Sequence, residues 1–165
     1  MNQAIAVTFL KKKGTGQTMG KHLEPAELAQ CNDLFQSPEV HLTTKATLLT
    51  AFLMLDHTDN EVQWFKAARD NALIIFPEEL QFLFHNTSET DLKTLCRDII
   101  SYKDCTAEQI NDALTQFLDP NTEEYLNAIF LEALRLKRET SIENKACLDF
   151  YIQHSDTWSV DLPHL

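Results

Sequence analysis

The residues most able to do chemistry in this chain sit in one short stretch. All 3 glycines fall within Gly14-Thr15-Gly16-Gln17-Thr18-Met19-Gly20, flanked by Lys11-Lys12-Lys13 and Lys21. A glycine loop before a lysine can wrap backbone amides around a phosphate while the ammonium neutralises it. The spacing departs from a P-loop, which needs an earlier glycine and a hydroxyl side chain after its Gly-Lys pair; here those places hold Thr15 and His22. No second βαβ pattern follows to build the parallel sheet such a loop caps. Lys11, Lys12, Lys13, Gly14, Gly16, Gly20 and Lys21 are therefore a candidate anion-contact loop, basic and flexible, after a short first helix.

Other reactive side chains have plainer explanations. His22, His41, His57, His85, His154 and His164 show no H-E-x-x-H or other close metal-ligand spacing, so no metal site is expected. Cys31, Cys96, Cys105 and Cys147 form no C-x-x-C pair and follow no secretory signal, which implies reduced thiols and a cytoplasmic location. Cys96 and Cys147 fall on inward helix stripes, where thiols are inert. Glu78-Glu79 and Glu123-Glu124 sit in first helical turns, where the helix dipole accounts for them. No catalytic residue and no cofactor is assigned.

The formal charge of −11 repels phosphate backbones, so nucleic acid is not an expected partner. Only the loop lysines and Arg135-Leu136-Lys137-Arg138 form local basic clusters. The most apolar run, residues 46–55, is interrupted by Thr47 and Thr50 and falls short of the roughly 20 residues a membrane span needs. No membrane partner is expected. A length of 165 residues with 44% hydrophobic content suits a single helical domain, residues 1–165.

A chain without glycine after Gly20 has little means of turning hairpins and should be all-α. Pro25 suits a first helical turn, and Leu28, Cys31, Leu34 and Phe35 then share a face before Ser37-Pro38 stops the helix. A helix over about 42–55 places Thr44, Thr47, Leu48, Ala51, Phe52 and Leu55 on one stripe, as the buried centre of the first half. Thr58-Asp59-Asn60-Glu61 reads as a capping box opening a helix with Val62, Trp64, Phe65 and Ala68. Pro77 opens a short helix to Phe84, and one running from about Ser88 to Tyr102 follows. Thr106-Ala107-Glu108-Gln109 and Thr140-Ser141-Ile142-Glu143 are further capping boxes, and Asp119-Pro120 is a stop. Trp64 and Trp158 are read as core or interface anchors.

This punctuation repeats. Residues 21–71 align without gaps to residues 103–153, matching Lys21/Lys103, Phe35/Phe117, Pro38/Pro120, Ala46/Ala128, Leu49/Leu131, Ala51/Ala133, Thr58/Thr140 and Glu61/Glu143. An internal repeat of a helical motif is the expectation. The fold class is thus a compact all-α bundle of two similar three-helix units.

The stretch from Phe9 through the Gly14–Gly20 loop to Lys21-His22-Leu23, with the helices behind it, resembles the N-terminal helical domain of anthranilate phosphoribosyltransferases and their nucleic-acid-binding relatives. These form the helical bundle of the glycosyltransferase family 3 proteins. The second copy is similar as well, above all Phe130-Leu131-Glu132-Ala133-Leu134-Arg135-Leu136-Lys137-Arg138-Glu139-Thr140. In that family the phosphoribosyl pyrophosphate site is a glycine-rich loop in a following α/β domain, for which this chain has no glycines. The resemblance implies a noncatalytic helical domain, serving subunit association and support of a catalytic domain absent from this chain. The alternative is a free-standing helical protein-interaction module, with weak nucleic-acid binding through Lys11, Lys12, Lys13 and Lys21 as its minor variant. Partners are then a protein or a second copy, and the two motifs are expected to pair with each other inside one chain. Phe9, Phe76, Phe82 and Trp158, outside the aligned motifs, are candidates for an exposed apolar patch.

Overall fold

The computed structural model describes residues 1–16, 18–85 and 91–155, and among these the chain is helical without a strand. In chain order the α-helices are α1 (Asn2–Lys13), α2 (Pro25–Gln36), α3 (Leu42–Met54), α4 (Asp59–Asp70), α5 (Ala72–Ile75), α6 (Asp91–Ile100), α7 (Ala107–Phe117), α8 (Glu124–Lys137) and α9 (Ser141–His154). A 3₁₀ helix, Glu78–Leu83, lies between α5 and α6.

The capping signals act where the sequence puts them. The hydroxyls of Thr58, Thr106 and Thr140 accept from the amides of Glu61, Gln109 and Glu143 at 3.3, 3.2 and 3.3 Å. Each satisfies one of the orphan donors that a helix start leaves open. Glu27 makes a reciprocal contact that the S/T-x-x-E pattern does not flag, its carboxylate accepting from the Glu24 amide at 2.6 Å.

The bundle is organised about two central helices. α3 and α8 make the most extensive contact in the chain, with α1 packed on α3 and α6 packed on α8. In the first unit α2 contacts α4, and in the second α7 contacts α9. Enclosure by α1 on one side and α8 on another buries more of α3 than the expected single stripe. Ala46, Leu48, Leu49, Thr50, Ala51 and Phe52 are all 0 or 1% exposed. Thr50 remains satisfied there by donating to the Ala46 carbonyl at 2.9 Å. Burial of each such leucine or phenylalanine stabilises the fold by about 2–3 kcal/mol, so this seam holds the two units together. No described helix is long and apolar enough to cross a membrane.

Two expectations are corrected. The segment opened by Pro77 is wound as a 3₁₀ helix, with the Leu80 amide bonded to the Pro77 carbonyl at 3.0 Å. This tighter winding turns both Leu80 and Phe82 inward within one short piece. The expected apolar patch does not form from its described members either, since Phe9, Phe76 and Phe82 are buried. Phe76 meets the edge of Phe35 with centroids 4.8 Å apart and stacks on Phe84 at 5.0 Å, so the segment after α4 acts as a cover for the first unit. Trp158, His164, Gln17 and the start of the helix expected from Ser88 lie outside the described residues.

Candidate functional site

The glycine loop is placed by the end of α1, and its geometry follows from its glycines. Gly16 has φ of +105°, a conformation L side chains rarely adopt. A Cβ at Gly20 would lie 2.8 Å from the Gly16 carbonyl oxygen and 3.0 Å from that of Lys13. The loop therefore folds tightly on itself. The amides of Gly14, Gly20 and Lys21 donate to the carbonyls of Leu10, Gly16 and Lys12 at 2.7, 2.8 and 2.8 Å. A phosphate cradle needs such donors pointing outward together; here these three are consumed internally.

The loop lysines divide in the same way. Lys11 and Lys21 are exposed. Lys12 is bonded to Glu27 at 2.6 Å. Lys13, read from the sequence as part of the anion-contact surface, points inward instead and is 2% exposed. Its Nζ donates to Glu61 Oε1 at 3.0 Å and to the Asp56 carbonyl at 2.7 Å. Burying an ammonium is costly unless a carboxylate is buried with it, and Glu61 is that carboxylate. The hollow of about 80 Å³ beside the loop is bordered by Lys13, Gly16, Gly20, Lys21, His22, Leu55 and Asp56, and the Lys13 ammonium there is already bonded to the Asp56 carbonyl and Glu61.

Glu61 is the centre of a polar node that the sequence flags only as a cap. Its Oε1 also accepts from the Leu23 amide at 3.0 Å, and its Oε2 from the Thr58 amide at 2.9 Å, with His22 Nδ1 at 2.7 Å. Burial works against its charged form. The Leu23 and Thr58 amides, Lys13 and His22 overcome that penalty and hold the carboxyl at about 2.

The second unit carries a matching node. Glu143 Oε1 accepts from the Cys105 amide at 2.7 Å, and its Oε2 from the Thr140 amide at 2.7 Å and from Lys137 Nζ at 2.9 Å. Lys137 also reaches Asp104 at 2.7 Å. Burial again raises the acid's pKa, while the two amides and Lys137 bring it below the ordinary value. Leu23 and Cys105, like Glu61 and Glu143, occupy aligned positions of residues 21–71 and 103–153. The acid of each capping box was legible in the sequence, but no common spacing marks its cation, since Lys13 precedes Glu61 by 48 residues and Lys137 precedes Glu143 by 6.

Two of the three cations of the basic run at the end of α8 are likewise occupied, while Arg138 just beyond it is exposed. Lys137 is buried in the Glu143 node, and Arg135 pairs with Glu132 at 2.8 Å while donating to the Gly14 carbonyl at 2.5 Å. This last bond ties the first unit's loop to the second unit's central helix. Burial pushes the thiols of Cys31, Cys96 and Cys105 up to about 12, and that of the half-buried Cys147 upward, so all four are protonated near neutral pH. Among the described residues no group of three or more His, Cys, Asp or Glu side chains could hold a metal ion. A groove of about 260 Å³ between α6 and α7 is bordered by Asp91, Asp98, Asp112, Thr94 and Gln109, an acidic lining without a cation among its residues.

The buried ionisable groups Lys13, Glu61, Lys137 and Glu143 are thus arranged to close the fold. Comparison with known protein families, with curated proteins and with solved structures finds no match to this chain.

Proposed function

We propose that this chain is a noncatalytic helical association domain, built from a duplicated motif and related to the helical domain of anthranilate phosphoribosyltransferase-like proteins. Its duty in this reading is subunit association and the support of a catalytic domain that lies outside the chain. The observation that carries the proposal is the fate of the glycine loop. The amides of Gly14, Gly20 and Lys21 bond to carbonyls of the loop and of α1, Lys13 is committed to Glu61, and Arg135 clamps the Gly14 carbonyl. A loop so tied braces one helical unit against the other and withholds those three amides from a phosphate. The pairing of α3 with α8 supports the duplication, because the aligned central helices meet each other. The same pairing satisfies the motif-to-motif contact inside one chain.

Calorimetry with phosphoribosyl pyrophosphate and magnesium at physiological salt tests the reading. The expected result is no saturable binding beyond weak, salt-screened attraction to Lys11 and Lys21. Tight, magnesium-dependent binding would overturn it and return the loop to the role of a phosphate site. The free-standing interaction module is the second reading, favoured by the apolar outer surface of α9.

A further inference from the structure

The two units differ on the outer faces of their third helices. On α9, Ile142, Leu148, Tyr151 and Ile152 are 60, 55, 53 and 59% exposed. Their aligned positions on α4 are Asn60, Lys66, Arg69 and Asp70, all exposed. The same place in the same three-helix unit is therefore solvated by polar side chains in one half and apolar in the other. The fold of the unit does not require those apolar residues, because the first unit forms without them. The inward face of α9, with Glu143, Ala146 and Phe150, already packs the core.

The charges on α9 narrow the choice of occupant. In a chain of formal charge −11, most surfaces repel a second copy. The outer face of α9 does not: its Lys145 and Asp149 are bonded to each other one turn apart, so the face is locally neutral. An antiparallel pairing about a two-fold axis sets Leu148 against Leu148 and brings Lys145 of each helix near Asp149 of the other. Both ion pairs can then form across the contact, while the aliphatic stem of Lys145 lies over Ile152. The face is complementary to itself in shape of charge as well as in apolarity.

We infer that a second copy of this chain docks on the outer face of α9, helix against helix about a two-fold axis centred near Leu148. This rests on the association reading above and assigns its surface. A single helix face is smaller than the roughly 800 Å² per partner of a standard stable interface, so the dimer is weak and concentration-dependent.

Sedimentation of the full chain, with concentrations reaching on the order of 100 µM, tests it. The expected mass rises towards twice that of a single chain. Giving α9 the residues of α4, through Leu148→Lys, Tyr151→Arg and Ile152→Asp together, should restore the single-chain mass with an unchanged far-UV circular dichroism spectrum. Mild oxidation of Leu148→Cys should link two chains covalently, where the wild type, treated alike, stays unlinked. A wild type that sediments as a single chain throughout overturns the inference. So does a folded triple variant that keeps the doubled mass, which moves association to another surface and leaves the wider reading standing. Should the triple variant unfold, failure of Leu148→Cys to cross-link overturns the inference on its own. Failure of the wider reading is read separately, as tight phosphoribosyl pyrophosphate binding that the α9 substitutions do not alter.

Discussion

Glu61 and Glu143 occupy the same position of the same capping box, and each accepts a backbone amide from the segment leading into its unit's first helix. Their cations arrive by different routes. Lys13 reaches Glu61 from the end of α1, 48 residues away, whereas Lys137 reaches Glu143 from the end of α8, only 6 residues before it. Lys137 also has Asp104 beside it, in the place where the first unit carries His22 next to Glu61. The carboxylate is thus dictated by local helix-start chemistry, and its cation is whatever the tertiary arrangement can deliver. The first node holds the N-terminal helix to the rest of the bundle; the second ties together a single helical hairpin and its approach.

Removing the acids should separate the nodes most strongly. Glu61→Ala leaves Lys13 buried with the Asp56 carbonyl and the Phe52 ring but no carboxylate, and a buried charge stripped of its partner costs about 3–5 kcal/mol. Glu143→Ala should cost clearly less, because Asp104 still faces Lys137. Urea denaturation of the two variants measures the difference, and equal losses would break the comparison. The destabilisation of Glu61→Ala should also expose α1 to early proteolysis, since α1 supplies the lysine.

Acid should reveal the same node. Glu61 is held at about 2 in the folded chain against an ordinary 4.5, so its stabilisation is fully present above pH 4.5 and is lost as the pH falls towards 2. On the order of 3 kcal/mol is at stake in that window. Glu143, also lowered, acts with the same sign. Thermal melts between pH 5 and about pH 2 should show the wild type losing stability more steeply than Glu61→Gln; parallel curves would show that the node does not govern the acid response.

The caps should behave alike where the nodes differ. Thr58→Ala and Thr140→Ala each remove a hydroxyl that accepts a helix-start amide at 3.3 Å, and each should cost about 1 kcal/mol in a denaturant melt. A large inequality between them would mean that the cap in one unit depends on its node. The smallest effect is expected from Arg135→Ala, a half-exposed side chain whose loss should cost less than about 1 kcal/mol. Its readout is faster amide exchange around Gly14, because its bond to that carbonyl joins the two units.

Much of the framework could be read from local signals. Thr58-Asp59-Asn60-Glu61 and Thr140-Ser141-Ile142-Glu143 start helices because a hydroxyl and an amide three residues apart meet in any such turn. The Gly14–Gly20 loop could be placed for a similar reason, since Gly16 alone permits the backbone angle found there. Exposure was harder to read. Phe76 and Phe82 resembled surface candidates because they lie outside the aligned motifs, yet contacts with Phe35 and Lys93 enclose them. Lys13 looked like the third of three solvated lysines; its place on the inner side of α1 is set by the packing of α1 on α3.

By itself the sequence determined where helices begin and stop and which chain segments could correspond, because caps, prolines and glycines act within one turn of the backbone. It also determined that each third helix would carry a glutamate at its first turn. Only the tertiary structure decided that α3 would be enclosed between α1 and α8, that Lys13 would be buried against Glu61, and that Ile142, Leu148, Tyr151 and Ile152 of α9 would face solvent. Those outcomes depend on contacts between residues far apart in the chain, where burial of one apolar face or one charge is settled by whatever surface the other elements bring against it.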